Sequence, residues 1–238
     1  LVLRLFAEGL LPAIDQWSIL IAGMAAVTML FGNMVALAQT NIKRMLAYSS
    51  VGQVGFLLMG VASLSTLSSN GLMVHLVGYS ATNLAVFFAI IAFYNITGKE
   101  EISDFAGLAN RSPFLAAAIT ISLLSLAGLP FLAGFVTKFY LFSAAAAEDL
   151  LWLAGVAMVA SLISLYYYLK VARQMYISPA AEGEDSTIKV PALLYGLVGV
   201  MVIIVILIGL YPEPLVNLIE DASAVILPGG DTSALNLR

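Results

Sequence analysis

Long apolar segments separated by short polar segments make up most of this 238-residue chain. Most of the apolar segments are close to the roughly 20 residues that a helix needs to cross a bilayer. The polar segments carry the glycine, proline, serine and acidic residues typical of loops. The apolar segments are residues 17–37, 45–64, 72–94, 113–147, 150–169 and 190–211, and the loops are 67–70, 95–112, 178–187 and an acidic tail, 212–238. The pattern predicts one all-α membrane domain, a polytopic helical bundle with six spans.

The longest apolar segment, residues 113–147, is predicted to be a discontinuous helix. About 35 residues in one straight helix would extend roughly 50 Å, whereas the hydrocarbon core of a bilayer is about 30 Å thick. Gly128, Pro130 and Gly134 lie in its middle. Proline supplies no N–H, and glycine readily leaves helical angles. Because backbone without helical hydrogen bonds is tolerated at membrane depth only against protein or a watery cavity, the break indicates an ion path.

Lys138 follows the break in the same segment. Burial and the positive end of the second half-helix both disfavour the charged form of a lysine. We therefore expect Lys138 to load and release a proton. No acidic residue lies in this segment, and an intramembrane ionisable residue is a functional candidate by default. The alternative interpretation is a lysine that extends to the membrane surface or forms a fixed ion pair.

Composition excludes an ordinary soluble domain, since 61% of residues are hydrophobic, 10% are charged and the mean hydropathy is +1.01. The absence of cysteine excludes disulfides and thiol chemistry. A single histidine without a cluster of acidic residues predicts no metal site, and no glycine-rich phosphate loop is present. No basic patch suggests a nucleic-acid partner. The expected surroundings are the lipid bilayer.

The basic residues of the loops indicate the orientation in the membrane. Seven of them fall on one side, whereas Glu8, Asp15, Glu148, Asp149 and the acidic tail fall on the other, with at most Arg4 and Arg238. By the positive-inside rule the basic side is cytoplasmic. This predicts a multi-pass protein of the inner (plasma) membrane of the cell. The seven residues are Lys43, Arg44, Lys99, Arg111, Lys170, Arg173 and Lys189.

Two further groups of polar residues are candidates for proton transfer. Lys43 opens a span and is followed by Ser49, Ser50 and Gln53, so it either anchors the helix to the interface or begins a hydrated path from the cytoplasm. His75 has Tyr79 four residues later on the same helix face. A histidine near its ordinary protonation range suits a proton relay, although it could equally be a satisfied packing residue.

The segments AQTNIKRMLAYSSVGQVGF and EISDFAGLANRSPFLAAAITISLLSLAGLPFLAGFVTKFYLF, with the lysine at position 138, resemble the antiporter-like membrane subunits of respiratory complex I. The resemblance extends over essentially the whole chain. The family contains several subunit types. Lysine at position 138, and tyrosine instead of a further histidine at position 79, favour one of them. Phe131 stands where the family usually has a small residue, proline or threonine.

The resemblance implies a fourteen-helix subunit with two inverted five-helix repeats. This chain would hold the second repeat, with its discontinuous helix, and one further C-terminal helix, while the first repeat would precede Leu1. Lys138 would be the proton-carrying lysine, and Lys43, His75 and Tyr79 would be candidate relay residues. The whole enzyme would couple electron transfer from NADH to quinone to proton translocation. NADH, FMN, iron–sulfur clusters and quinone would be bound by other subunits, and the partners would be other membrane subunits of complex I.

Two alternatives remain open at the level of the sequence. One is a homologous subunit of an Mrp-type cation/proton antiporter or of a membrane-bound hydrogenase. The other is a non-conducting structural subunit, in which Lys138 would be a fixed ion-pair partner.

Overall fold

The computed structural model describes residues 5–9, 11–180, 187–188 and 190–226, and this part of the chain is almost entirely helical. A π-helical turn, Leu5–Gly9, and a 3₁₀ turn, Leu11–Ala13, precede the first long helix. The α-helices are α1 (Ile14–Leu37), α2 (Ile42–Ala62), α3 (Thr66–Thr97), α4 (Leu108–Arg111), α5 (Pro113–Ala127), α6 (Ala133–Ala147), α7 (Leu151–Tyr176), α8 (Ala192–Leu210) and α9 (Glu213–Ile226).

Five of the described helices are long and apolar enough to cross a membrane, namely α1, α2, α3, α7 and α8. The two shorter apolar helices α5 and α6 follow each other in the chain and together supply the sixth predicted span. The prediction of an all-helical membrane protein is therefore confirmed. Lys189, Arg4, Arg238 and the end of the tail lie outside the described residues.

Two predicted loops are wrong, one because a local capping signal extends a helix and the other because of packing against the bundle. Residues 67–70 belong to α3, which begins at Thr66. The Ser65 side chain accepts a hydrogen bond from the Ser68 backbone, and the Ser68 hydroxyl accepts one from the Ser65 backbone, which forms a capping box. The start of the predicted acidic tail is also helical, since α9 packs Val216 and Ile219 against Val74 of α3.

The predicted break in the long apolar segment is present between α5 and α6. Gly128 ends α5 with φ of 91°, in the left-handed region that suits a helix C-terminus. Phe131 also has positive φ, 69°, and 72% of its surface is exposed. The loop backbone packs against α8, where a Cβ atom on Gly209 would lie 2.3 Å from the carbonyl oxygen of Phe131. The break is thus enclosed by protein on this side.

Two apolar clusters hold the helices together, one towards each side of the membrane. The cluster towards the basic side includes Ile42, Phe93, Phe105, Tyr168 and Met175, all less than 2% exposed. The cluster towards the acidic side includes Trp17, Met59, Leu141 and Leu153. The end of α5 at the helix break, Leu126 and Ala127, belongs to the first cluster, and Leu141, three residues after Lys138, belongs to the second.

Candidate functional site

The Lys138 side chain is buried at the helix break and is hydrogen-bonded to three oxygen atoms. Its Nζ donates to the carbonyl oxygens of Leu126, at 2.9 Å, and Ala127, at 3.2 Å, and to the hydroxyl of Ser161, at 3.3 Å. The residue is 4% exposed. The carbonyls are available because α5 ends at Ala127, and the last carbonyls of a helix have no partner within it. The break therefore supplies two of the three oxygens that bind the lysine, and α7 supplies the third.

All three partners of Lys138 are neutral. Among the described residues, no carboxylate forms a salt bridge with Lys138. Phe56 is an additional neighbour, with Nζ 4.6 Å from its ring centroid. An ammonium group has three N–H donors, so three oxygen acceptors match the charged form of the side chain.

A small cavity adjoins Lys138. Its volume is about 10 Å³, which is room for about one water molecule. The residues around it come from four helices, α2, α3, α5 and α6. They are Gln53, His75, Tyr79, Thr82, Ser125, Leu126, Gly134, Thr137 and Lys138.

His75 lies in this cavity wall with a defined hydrogen bond on one ring nitrogen. Its Nδ1 is 3.0 Å from the hydroxyl oxygen of Thr137. That hydroxyl oxygen is also 3.1 Å from the carbonyl oxygen of Gly134, and when it donates to this carbonyl it accepts from His75 Nδ1–H. In this tautomer Nε2 carries a lone pair, and Nε2 is buried without a hydrogen-bond partner among the described residues. His75 therefore offers an unused acceptor beside the cavity.

Tyr79 stacks on His75 but directs its hydroxyl to another helix. The two rings are 6.1 Å apart between centroids, with an angle of 7° between their planes. The Tyr79 hydroxyl donates to Ser50 Oγ of α2, at 2.7 Å. Of the predicted site residues, the structure thus brings together Lys138, His75 and Tyr79.

Lys43 lies away from this group, at the N-terminus of α2. Its Nζ is 2.6 Å from Glu100 Oε2 and 3.5 Å from the centroid of the Tyr94 ring. Hydrogen bonds from Lys43 and then from the Asn41 amide hold the pKa of the Glu100 carboxyl below its usual value. Lys43 joins the start of α2 to the loop after α3.

Sequence reasoning missed the polar residues of α7. Ser161, Ser164 and Tyr168 occupy one face of that helix, at i, i+3 and i+7. Ser161 binds Lys138, and the Tyr168 hydroxyl is hydrogen-bonded to Ser49 of α2. The signal in the sequence was this spacing within an otherwise apolar span.

A second buried tyrosine, Tyr167, joins α7 to α1. Its hydroxyl donates to Asn33 Oδ1, at 2.8 Å. Asn33 in turn donates from Nδ2 to the carbonyl of Met29, so the amide is satisfied on both sides. The described residues contain no group of three or more His, Cys, Asp or Glu that could hold a metal ion.

Comparisons with known proteins give a consistent assignment. Residues 1–164 match the family model described as "NADH:quinone oxidoreductase/Mrp antiporter, TM". The chain is 45% identical over 210 residues to NADH-quinone oxidoreductase subunit N of Moorella thermoacetica, an alignment that covers 88% of this chain and 44% of the relative. The chain spans about half the length of the curated relatives it matches.

Solved structures share the fold. A chain of respiratory complex I from Thermus thermophilus aligns with a TM-score of 0.78 and 27% identity, covering 95% of this chain and 49% of that one. A chain of the Mrp complex from Dietzia sp. DQ12-45-1b aligns with a TM-score of 0.85 and 22% identity, covering 96% and 50%. At that identity the second similarity concerns the fold alone.

Proposed function

We propose, from the premise that this chain belongs to the NADH:quinone oxidoreductase/Mrp antiporter transmembrane family, that it acts in subunit N of NADH-quinone oxidoreductase and carries protons on Lys138. The similarity to subunit N relatives supports the choice of subunit. The observation that carries the proposal is the burial of Lys138 among three neutral oxygens at a helix break.

Neutral partners allow Lys138 to exist in two protonation states. A lysine in a buried ion pair cannot lose its proton without leaving an unpaired buried carboxylate, which is strongly unfavourable. Lys138 has no such described partner, and loss of one proton leaves an amine that still has two donors for the same oxygens. The site is therefore suited to loading and release rather than to permanent charge.

His75 is the proposed next station of the proton. One water molecule in the cavity would lie between Lys138 and His75 Nε2, which has the lone pair needed to accept a proton. On this proposal Tyr79, stacked on the histidine, holds the ring in place and extends the polar contacts to Ser50. Lys43 remains a candidate for entry at the basic side.

The wider setting follows from the same proposal. The basic loops face the cytoplasm, and other membrane subunits of complex I and lipid cover the outer faces of the bundle. NADH, FMN, iron–sulfur clusters and quinone are bound elsewhere in the complex. The contribution of this chain is the translocation of protons, driven by electron transfer from NADH to quinone.

Replacement of Lys138 tests the function. Lys138→Ala and Lys138→Arg should both assemble and both reduce proton pumping by about tenfold or more, since a positioned proton-transfer group contributes roughly 10²–10⁴-fold. Arginine keeps its proton at any accessible pH. The measurement is uptake of protons by membrane vesicles, followed with a pH-sensitive dye during NADH oxidation. Lys170→Ala, at an exposed lysine of α7, is the control.

Assembly is checked by native gel electrophoresis of the complex. Normal pumping by Lys138→Arg would show that the lysine is a fixed charge. A complex that fails to assemble with either variant would favour the structural role.

A further inference from the structure

A row of hydroxyl groups, partly buried at Ser161 and buried beyond it, leads from Lys138 towards the basic side of the membrane. On α7, Ser161 binds Lys138 Nζ, and Ser164 and Tyr168 follow on the same helix face. The Tyr168 hydroxyl is hydrogen-bonded to Ser49 of α2. Ser161 and Tyr168 are seven residues apart, which corresponds to about 10 Å along the helix axis.

The facing helix α2 carries a matching pair of polar residues. Ser49 and Gln53 are one turn apart, and Gln53 lines the same cavity as Lys138. The polar residues of α2 and α7 therefore converge at two places, the Lys138 cavity and the Ser49–Tyr168 hydrogen bond. Ser49, Gln53, Ser164 and Tyr168 are each at most 4% exposed.

The row ends in an apolar layer before it reaches the basic side. Met45 and Leu46 of α2 and Val171 and Met175 of α7 belong to one buried cluster between the Ser49–Tyr168 contact and the ends of the two helices. Each of the four is at most 1% exposed. The hydroxyl row is thus connected to Lys138 at one end and closed at the other.

We infer that this row is the route by which Lys138 exchanges protons with the basic side, with Tyr168 and Ser49 as its relay pair and the apolar layer as its barrier. The inference rests on the proposed function of Lys138. In each transfer a hydroxyl oxygen forms a bond to the incoming proton and gives up its own proton to the next oxygen, or to an intervening water. The net result is that one proton moves and no residue is left charged.

A purely structural role for the same hydroxyls is the competing explanation, because buried hydroxyls in a membrane are usually satisfied by a hydrogen bond. The chain offers a matched comparison. Tyr195 of α8 stacks on Phe114 and lies outside the row, whereas the Tyr168 hydroxyl is hydrogen-bonded to Ser49. Tyr168→Phe and Tyr195→Phe each remove one hydroxyl and keep the ring.

Vesicles carrying the assembled complex provide the experiment. Tyr168→Phe should slow NADH-driven proton uptake by about tenfold, less than the upper range for a direct proton donor, and should increase the slowing seen in D₂O. Tyr195→Phe should change neither quantity by more than about twofold. Assembly of both variants, checked by native gel electrophoresis, should equal that of the unmodified complex.

A serine pair provides an independent comparison. Ser164 donates to the carbonyl of Ser161 and Ser122 to that of Ala118, and both are buried. Ser164→Ala should slow proton uptake, whereas Ser122→Ala, on α5 and away from the row, should not. This pair matters if Tyr168→Phe proves too unstable to assemble.

The outcomes separate the two levels of the proposal. Equal effects of Tyr168→Phe and Tyr195→Phe, or of Ser164→Ala and Ser122→Ala, would overturn the route. Normal uptake by Tyr168→Phe together with loss of uptake by Lys138→Ala would overturn the route and leave the function of Lys138 in place. Normal uptake by Lys138→Ala would overturn the function itself.

Discussion

Gly134 determines how closely the two halves of the broken helix approach each other. A Cβ atom at this position would lie 1.7 Å from the carbonyl oxygen of Ser125, far inside contact distance. The Gly134 backbone N–H donates to the Ser125 hydroxyl, at 3.1 Å. The position of α6 against α5, and hence the reach of Lys138 to Leu126, depends on this absence of a side chain.

Gly134→Ala should therefore destabilise the break. The methyl group has to push α6 away from α5, and overpacking of this kind costs about 1–3 kcal/mol or more. Proton pumping should fall as well, since Lys138 moves with α6. The measurement is the unfolding temperature of the purified complex together with proton uptake.

Gly155→Ala is the control for this substitution. Gly155 lies in α7 with no atom within 4 Å of its Cβ position, so alanine there should be neutral or stabilise by about 0.5–1 kcal/mol. Equal behaviour of the two alanine variants would contradict the close contact at Gly134.

The burial of Lys138 was predictable from the sequence, but its partners were not. Burial follows from the apolar residues around it, which is local information. Two of its partners are backbone carbonyls, which leave no trace in side-chain identity, and the third, Ser161, lies on another helix. The facing direction of α7 had to be known before Ser161 could be assigned to the site.

Among the elements, α2 is held at its start by a compact junction with the loop after α3. Asn41 caps the helix by accepting hydrogen bonds from the backbone of Lys43 and Arg44. The backbone N–H of Ile42 donates to Glu100, and that of Ile102 donates to Thr40. The Lys43–Glu100 ion pair closes the same junction.

This junction should weaken in acid. The folded-state pKa of Glu100 is lowered, so its contribution is fully present above the unfolded value of about 4.3 and is lost as the pH falls through the folded value. Glu100→Gln should lower the unfolding temperature slightly at neutral pH. The difference from the unmodified chain should disappear as the pH falls below the folded-state pKa of Glu100, where both side chains are neutral.

Unfolding temperatures at several pH values provide the measurement, with Glu220→Gln on α9 as the comparison. A gap between Glu100→Gln and the unmodified chain that persists in acid would mean that the carboxylate charge is not what stabilises the junction.

Helix α9 shows why one element was missed. The composition of the segment after Pro212, with its proline and acidic residues, favours a polar tail over a packed helix. The periodicity of Leu215, Val216 and Ile219 was nevertheless present, and the structure packs these residues against α3 and α6. The prediction failed because the partner surface for this apolar stripe forms only in the folded bundle.

At the scale of the whole molecule, the two ends of the bundle differ in charge and should face different compartments. Ser103 is exposed in the loop after α3, on the basic side, and Ala147 is exposed at the end of α6, on the acidic side. The chain has no cysteine, so one introduced cysteine can be labelled alone.

Ser103→Cys should react with an impermeant thiol reagent only after the cells are permeabilised, and Ala147→Cys should react in intact cells. The physical reason is the retention of Lys and Arg loops on the cytoplasmic side. Labelling of Ser103→Cys from outside would reverse the proposed orientation. Ser186, another candidate position in a predicted loop, lies outside the described residues.

The hydrogen bonds of Lys138 couple the positions of the two half-helices to the binding of a proton. Its backbone belongs to α6, but its ammonium group is held by the last carbonyls of α5. Linkage is reciprocal. If the approach of the two half-helices increases the proton affinity of Lys138, then protonation of Lys138 favours their approach by the same free energy. The loop between the half-helices packs against Gly209 of α8, so a displacement of α8 would change the proton affinity of Lys138. Displacement of a half-helix and protonation of Lys138 Nζ are then coupled in one equilibrium. A change in either one shifts the other.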